Sequence, residues 1–448
     1  KIRKLPEFGY IISNLPYVQQ EDLEKVNPGI KKINVFIKKQ TGQDIELNAR
    51  SDLYAYLPFY LWSLLETDGY LAIIISNAWL STKWGNDFRQ ILRQFFQIKF
   101  IVTSGKGRWF QNAKVITNII VLKKRANPEN EISHDEKTNF VILRDSIDEI
   151  EENGKQQELS SLIHKEKDID EDDISLSTYS NEEIEKFNKV GISWSALFAR
   201  CHWLLELKDK LVQASTFFEI NRGERKGWDE LFYPESTRGI ETDYIQPVLK
   251  SSRSIQTLVA KPDSSAFCCP LSKSDLRIKK HLGALSWIEN FETRRNEKGK
   301  PLPDVLKRAG IHWYTMLPTT MADIVTSMNF GDRLFFAKLE KRSFVNQRLI
   351  RFTKFDEADV ELLHALLNSI LGLFYLEALG FGRGEGALDL SSDQLKNNLF
   401  ILNPSLISGD ERAKILDCFQ PLLKRTILPL QDELKASDRK IFDKQVLN

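Results

Sequence analysis

The stretch Phe8-Gly9-Tyr10-Ile11-Ile12-Ser13-Asn14-Leu15-Pro16-Tyr17-Val18 constrains the fold more than any other part of the chain. An apolar run of this length, halted by a polar amide and a proline turn, reads as a buried parallel strand. In open α/β sheets ligands sit beyond the carboxyl ends of such strands. Asn14 to Tyr17 are therefore expected in an active crevice.

Three further runs support a sheet. Residues 70–76 (Tyr-Leu-Ala-Ile-Ile-Ile-Ser) form a second continuous apolar strand, and residues 98–102 and 115–122 form two more, joined by a loop over 103–114 that contains Phe110. Helical patterns separate them, one from about residue 50 to 65, closed by a glycine stop at Thr67-Asp68-Gly69, and one over 86–96. This alternation predicts a parallel sheet covered on both faces. Residues 19–48 are polar and lysine-rich, turn at Asn27-Pro28-Gly29, and read as a mobile loop beside the crevice.

At 448 residues the chain has room for two or three domains, and 42% hydrophobic with 28% charged residues excludes disordered and fibrous classes. Cys201, Cys268, Cys269 and Cys418 show neither metal-ligand spacing nor a disulfide framework, so no metal site is expected and the thiols are read as reduced. No signal-like opening and no apolar run of roughly 18 to 20 residues occurs, which predicts a cytoplasmic protein without membrane contact.

The net charge of +1 hides an asymmetry. Residues 1–125 carry 19 Lys and Arg against 10 acids, whereas residues 126–190 carry 19 acids against 7 bases. Two basic bodies flanking an acidic connector fit a polyanionic partner. The boundaries follow: a strand-and-helix body over 1–145, a solvated acidic linker over 146–190 and a second body over 191–448. Residues 140–143 read as one further strand. In the second body residues 334–337 and 348–352 read as strands and 357–379 as one long helix. The glycine cluster at 380–386 follows a helix, whereas a nucleotide-binding fingerprint must follow a strand.

Asn-Leu-Pro-Tyr after an apolar strand suits methylation of an exocyclic amine on a flat base. Such an amine is a poor nucleophile because its lone pair is delocalised into the ring. Two acceptors for its hydrogens, the Asn14 side-chain amide oxygen and the Leu15 carbonyl, localise that lone pair toward an incoming methyl, and Pro16 fixes the turn. Tyr17 offers a flat surface for a flipped base. A strand-terminating turn with a core tyrosine is the structural alternative.

Here the sequence resembles the amino-group DNA methyltransferases of the TaqI-like group, including the fused type IIG restriction-modification enzymes. Their Asn-Pro-Pro-Tyr motif stands here as Asn14-Leu15-Pro16-Tyr17, with the Leu variant also found in the dimethyladenosine transferases of ribosomal RNA. Asp52-Leu53-Tyr54-Ala55-Tyr56-Leu57 resembles the family's Asp-Leu-Tyr-x-x-Phe helix start, whose aromatic lies near the cofactor adenine and is here Leu57. Residues 69–80 resemble the Gly-Gly-x-Leu strand and its Pro-x-x-Trp-Leu turn. Residues 109–115 resemble the Val-Phe-x-x-x-x-Val loop, whose Phe, here Phe110, stacks on the other side of the target base.

In the second body the resemblance points to a target recognition domain. Residues 221–232 resemble its Gly-x-x-Thr-Gly-x-Asn-x-x-Phe loop, residues 245–250 its Ile-x-x-x-Leu-Arg-Gly segment, and residues 367–390 its closing helix and glycine-rich turn. Two glycines enclosing Glu224-Arg225-Lys226 would let a basic loop approach a phosphate backbone.

The resemblance implies part of a Rossmann-like class I methyltransferase sheet followed by an α+β recognition domain. It implies adenine-specific methylation of double-stranded DNA, base flipping, and a restriction-modification or phage-defence setting. It implies a catalytic set of Asn14, Leu15, Pro16, Tyr17 and Phe110. S-adenosylmethionine is the implied cofactor, met by Asn14, Asp52 and Leu57, and the implied DNA contacts are Arg222, Arg225, Lys226, Lys250, Lys341 and Arg342. The donor site of this family precedes the Asn-Pro-Pro-Tyr strand, and only about seven residues precede it here. The expectation is a fragment, or one half of a split enzyme whose cofactor half, with a nuclease, lies on another segment or chain. The competing expectation is a catalytically inactive DNA-recognition or partner-binding subunit. RNA is a third substrate possibility, from the Leu15 variant.

Overall fold

A computed structural model describes residues 6–110, 116–163, 167–224, 227–317, 321–384 and 387–448. The chain divides into two compact units, Lys1–Leu211 with Glu377–Asp389, and Val212–Leu376 with Leu390–Asn448.

The first unit is built on a seven-stranded sheet in the order β1-β2-β4-β3-β5-β7-β6. Its strands are β1 (Phe8–Asn14), β2 (Leu65–Ser76), β3 (Phe96–Ser104), β4 (Thr117–Lys124), β5 (Lys137–Leu143), β6 (Ile169–Asp170) and β7 (Ile174–Ser180). β1 runs parallel to β2, with Asn14 opposite Ile74. β4 lies antiparallel to both β2 and β3, β3 is parallel to β5, and β7 is antiparallel to β5. The sheet is thus mixed, not the parallel sheet expected. Among the described residues no crossover helix stands between β3 and β4 or between β4 and β5, and only a crossover returns a strand in the parallel sense.

β1 also differs from the buried strand expected. It is an edge strand whose alternate residues face solvent, with Tyr10 77% and Ile12 86% exposed. Composition alone cannot separate an uncovered apolar strand from a buried one, since both are written in Tyr and Ile. The glycine stop is different as well: the helix over Leu53–Trp62 ends early, and Gly69 lies within β2. A Cβ there would stand 2.9 Å from the Glu66 carbonyl oxygen, and Asp68 beside it adopts φ 62°, so the Thr67-Asp68-Gly69 signal marks an irregularity in the strand.

Helices α1 (Leu23–Val26), α2 (Ile33–Thr41), α3 (Leu53–Trp62) and α4 (Lys83–Phe95) follow in chain order. Residues 19–48, expected as a mobile loop, are held by buried Leu23, Ile30, Ile33, Ile37 and Leu47. The three- and four-residue steps of Ile30, Ile33 and Ile37 were masked by the surrounding lysines. Phe59 and Phe95 meet edge to face at 5.0 Å, and Trp62 meets Phe95 at 5.5 Å. Thr82 caps α4 by accepting from the Gly85 amide, and Gly85 packs so closely on Trp79 that a Cβ would lie 2.0 Å from its carbonyl oxygen.

Residues 146–190, which composition marks as an acidic connector, carry β6, β7 and helices α5 (Ile147–Glu152), α6 (Gln156–Ile163) and α7 (Asn181–Lys189). Their acids have specific partners. Asp170 pairs with Arg144 and Arg200, Asp173 with Lys155, and Glu149 and Glu183 close capping boxes with Ser146 and Ser180. Residues 140–143 form the strand expected, within β5.

The second unit has its own seven-stranded mixed sheet. The strand order is Ser264–Phe267, Ile245–Leu249, Ala337–Val345, Ala322–Ser327, Leu349–Lys354 and Phe218–Arg222, with Val259–Ala260 pairing onto Ala337–Val345. Phe232, Tyr244, Phe267, Ile288, Phe291 and Phe344 lie in one buried cluster against it. The single helix expected over 357–379 is two, Val360–Leu367 and Ile370–Leu379, bent by 62°. At the break the Asn368 side chain donates to the Phe336 and His364 carbonyls, and Ser369 Oγ donates to the Leu366 carbonyl, which diverts backbone acceptors from a continuous helix. Among the described residues no single helix is long and apolar enough to cross a membrane, no group of side chains has metal-ligand geometry, and the four cysteines are unpaired.

Candidate active site

The carboxyl end of β1 presents the residues singled out by the sequence. Leu15 is buried and its amide donates to the Ile74 carbonyl at 3.3 Å, which ties the turn to β2. Pro16 then turns the chain outward, leaving Asn14 exposed and Tyr17 39% exposed. The Leu15 carbonyl accepts no hydrogen bond from the described residues.

One contact was not foreseen. The Tyr17 hydroxyl donates to Asn14 Oδ1 at 3.1 Å. It orients the Asn14 amide and occupies the oxygen assigned to a substrate amine. Burial raises the Tyr17 phenol above its ordinary value, so it remains a neutral donor through neutral pH.

The turn is fixed from below by α3. The Leu53 amide donates to the Val18 carbonyl at 3.0 Å, and Tyr17 meets the Tyr54 ring edge to face at 6.5 Å. Tyr54 in turn contacts Trp84 at 5.9 Å. The Tyr54 ring is buried and its hydroxyl forms no well-aligned hydrogen bond, with Asp52 and Ser76 as close electrostatic neighbours. Asp52 stands just before the first turn of α3. Burial pushes its carboxyl above the ordinary value, partly offset by the bond it accepts from the Gln20 backbone. Leu57, one turn further along α3, is half-buried.

Phe110 is 38% exposed and touches no other ring among the described residues. The stretch leading to it is anchored. The Gly105 amide donates to the Leu143 carbonyl at 2.7 Å, Lys106 pairs with Glu149, and Trp109 packs on the buried cluster containing Val102 and Val141. A Cβ at Gly105 would approach the Arg144 Cα to 3.2 Å, so glycine permits the close passage of the loop over β5. Residues 111–115 lie outside the described residues.

The basic residues expected to meet DNA divide into two groups, all in the second unit. Arg222 is exposed, its Nε donating to the Gln347 carbonyl at 2.6 Å, and Lys250 stands over the Tyr233 ring at 5.1 Å. Both lie at the sheet end marked by the turn over 345–349, where the Gly223 amide bonds the Leu349 carbonyl. Lys341 and Arg342 lie further back along Ala337–Val345, and Arg342 is spent on an ion pair with Asp323 at 3.1 Å. Arg225 and Lys226 lie outside the described residues. Sequence reasoning missed Arg253, Arg333 and Arg348, which stand alone in the sequence and which only the fold brings to this same end.

The sequence family described as Eco57I restriction-modification methylase matches residues 2–110. Over 157 residues, 34% of this chain and 26% of the relative, the sequence is 24% identical to the type II methyltransferase M.BstVI of Geobacillus stearothermophilus. The type IIL restriction-modification enzyme MmeI, solved in complex with DNA, aligns over 98% of this chain and 53% of its own, with a TM-score of 0.53 at 12% identity. The type IIG restriction endonuclease BpuSI aligns over 98% and 54%, at 15% identity and a TM-score of 0.41. The chain spans about half the length of these solved enzymes and about a quarter of the curated relative. Over residues 2–110 the chain is thus similar to the Eco57I restriction-modification methylases, and over 157 residues to a type II methyltransferase.

Proposed function

We propose that this chain supplies the base-handling half of an adenine-specific DNA methyltransferase of a restriction-modification or phage-defence system, together with its target recognition domain. One observation carries the reading: at the open end of β1, Asn14 and the unused Leu15 carbonyl stand beside an exposed aromatic, Tyr17, as two acceptors and a stacking surface. A flipped adenine lies on Tyr17, with Phe110 on its other face. Its amine gives one hydrogen to Asn14 Oδ1, displacing the Tyr17 hydroxyl, and the other to the Leu15 carbonyl. The nitrogen lone pair is then directed out of the ring system toward the donor. The amine nitrogen bonds the methyl carbon as that carbon leaves its donor, and the nitrogen loses its extra proton to water afterwards, so no general base is assigned.

S-adenosylmethionine supplies an electrophilic methyl on a sulfonium. The residues present suit one wall of its site: the partly accessible Asp52 carboxyl would accept hydrogen bonds from it, Leu57 would offer an aliphatic face, and the exposed Asn14 amide a further polar contact. The uncovered face of β1, with Phe8, Tyr10 and Ile12 exposed, suits the docking of a donor-binding half, from the same polypeptide or a second one that also brings a nuclease. The recognition role of the second unit draws on Arg222, Lys250, Lys341 and, outside the described residues, Arg225 and Lys226. The proposed setting is the cytoplasm, with double-stranded DNA as substrate.

The occupied Asn14 oxygen favours a second reading, a methyltransferase-derived subunit that binds DNA or a partner without catalysis. Labelled methyl transfer by the protein with its donor half, to duplex DNA and to structured RNA, separates these. Transfer to duplex DNA that is lost in Asn14→Ala supports catalysis. Binding of donor and DNA without transfer supports the second reading.

A further inference from the structure

We propose that the cavity of about 540 Å³ in the second unit binds a phosphate group, taken in the working protein from a nucleic-acid backbone. The cavity lies between the turn over residues 251–254, the loop over 329–333 and the turn over 346–348. Its walls carry three guanidinium groups, Arg253, Arg333 and Arg348, against one carboxylate, Asp332.

What distinguishes these arginines is that their charge is unspent. By contrast Arg342 pairs with Asp323, Arg351 with Glu219 and Arg412 with Asp359. Among the described residues the Arg253 and Arg348 side chains make no hydrogen bond or ion pair, with Asp332 or with any other group. Arg333 spends one N–H on the Ile255 carbonyl at 3.1 Å and is half-buried. Converging cations that repel one another and lack counter-charges cost stability unless an anion joins them. The excess of three positive charges over one negative sets the sign of the ligand.

Both arms of the cavity are rigid. Asp263 accepts from the Lys250 amide at 2.6 Å, the Ser251 amide at 3.2 Å and Ser254 Oγ at 2.6 Å, which fixes the turn presenting Arg253. On the other side buried Asn346 accepts from the Arg348 amide and donates to the Tyr233 hydroxyl, both at 3.0 Å, and its own amide bonds the Leu249 carbonyl at 3.0 Å. Turns held this way fix the backbone from which Arg253 and Arg348 extend, and guanidinium forks suit the tetrahedral oxygens of a phosphate. Arg222 and Lys250, at the same end of the sheet, continue the positive surface past the cavity. The phosphate chemistry stands on this geometry alone, and the nucleic-acid source rests on the proposed function.

The test compares the wild-type chain with R253A/R348A, R253K/R348K and D332N, each checked for unchanged thermal unfolding. The probes are inorganic pyrophosphate, followed by calorimetry, and a duplex of arbitrary sequence, followed by anisotropy across a salt series. R253A/R348A is expected to bind duplex about tenfold more weakly at low salt, with the slope of log K against log salt shallower by about 0.9, the value of one phosphate contact. The lysine pair restores the slope, and D332N tightens binding a few-fold. Loss of pyrophosphate binding with duplex binding unchanged upholds the phosphate site and assigns it to a free phosphate ligand. The proposal is overturned if the wild type binds neither probe, or if R253A/R348A binds both as the wild type does. Wild-type protein that binds both probes as expected yet transfers no methyl upholds the phosphate site while the methyl-transfer reading fails, so the two failures give different results.

Discussion

Tyr17→Phe separates the two parts that Tyr17 plays. The phenyl ring remains, so a stacked base keeps its support, worth about 1–3 kcal/mol per base. The hydroxyl that donates to Asn14 Oδ1 at 3.1 Å is gone. An exposed hydrogen bond of this kind is worth roughly 0.5–1.5 kcal/mol net, and the substrate amine must replace it before the lone pair can be directed. Removing the competitor should therefore speed single-turnover methyl transfer about two- to tenfold. Folding stability should change by less than about 0.5 kcal/mol, because the hydroxyl is not buried in the core. The assay is transfer of labelled methyl from S-adenosylmethionine to duplex DNA by the protein with its donor half. Tyr17→Ala serves as the contrast and should lose roughly tenfold or more, since it removes the ring. A Tyr17→Phe protein slower than wild type by threefold would refute the reasoning. The hydroxyl would then be helping to hold the amide toward the base rather than blocking it.

Three further outcomes follow from the packing. Burial raises the folded-state pKa of Asp52 above its unfolded value, so the folded state holds the proton more tightly and stability falls as pH rises through and above the ordinary carboxyl range. Asp52→Asn should then be more stable than wild type at neutral pH and lose that advantage near pH 3, as read by denaturant unfolding. Burial alone would raise the Glu433 carboxyl, but Arg425 at 2.8 Å and Arg439 at 2.7 Å outweigh it and hold it low, so its contribution is present above the ordinary range and lost on acidification. Glu433→Gln leaves buried Arg439 short of its counter-charge and should cost about 3–5 kcal/mol, measured by urea unfolding of the second unit's transition. Gly85→Ala puts a Cβ 2.0 Å from the Trp79 carbonyl oxygen and should cost about 1–3 kcal/mol or more, seen as an earlier thermal transition.

The turn over residues 14–17 was legible as the end of a strand because its signal is local. Asn14, Leu15, Pro16 and Tyr17 are consecutive, and a strand followed by Pro leaves few conformations for them. Phe110 was also legible as an exposed ring, since Trp109 and Gly105 anchor the loop beneath it. The position of β1 was not. Its residues alternate Tyr and Ile on one face and cannot say whether another strand or solvent lies beside them. The acidic segment was misread for the complementary reason: Asp170, Asp173, Glu149 and Glu183 are charges whose partners, Arg144, Lys155, Ser146 and Ser180 among them, become neighbours only in the folded state. The same holds for Arg253, Arg333 and Arg348, separated by up to 95 positions and brought together by two turns and a loop.

The most direct test of the central claim is methyl transfer by Asn14→Ala in the donor-complete protein, measured beside its affinity for the same duplex. The account predicts that transfer falls by about a hundredfold or more, the usual cost of removing one preorganised polar group that acts on the reacting centre, while duplex affinity is unchanged. Transfer by Asn14→Ala at the wild-type rate would contradict it.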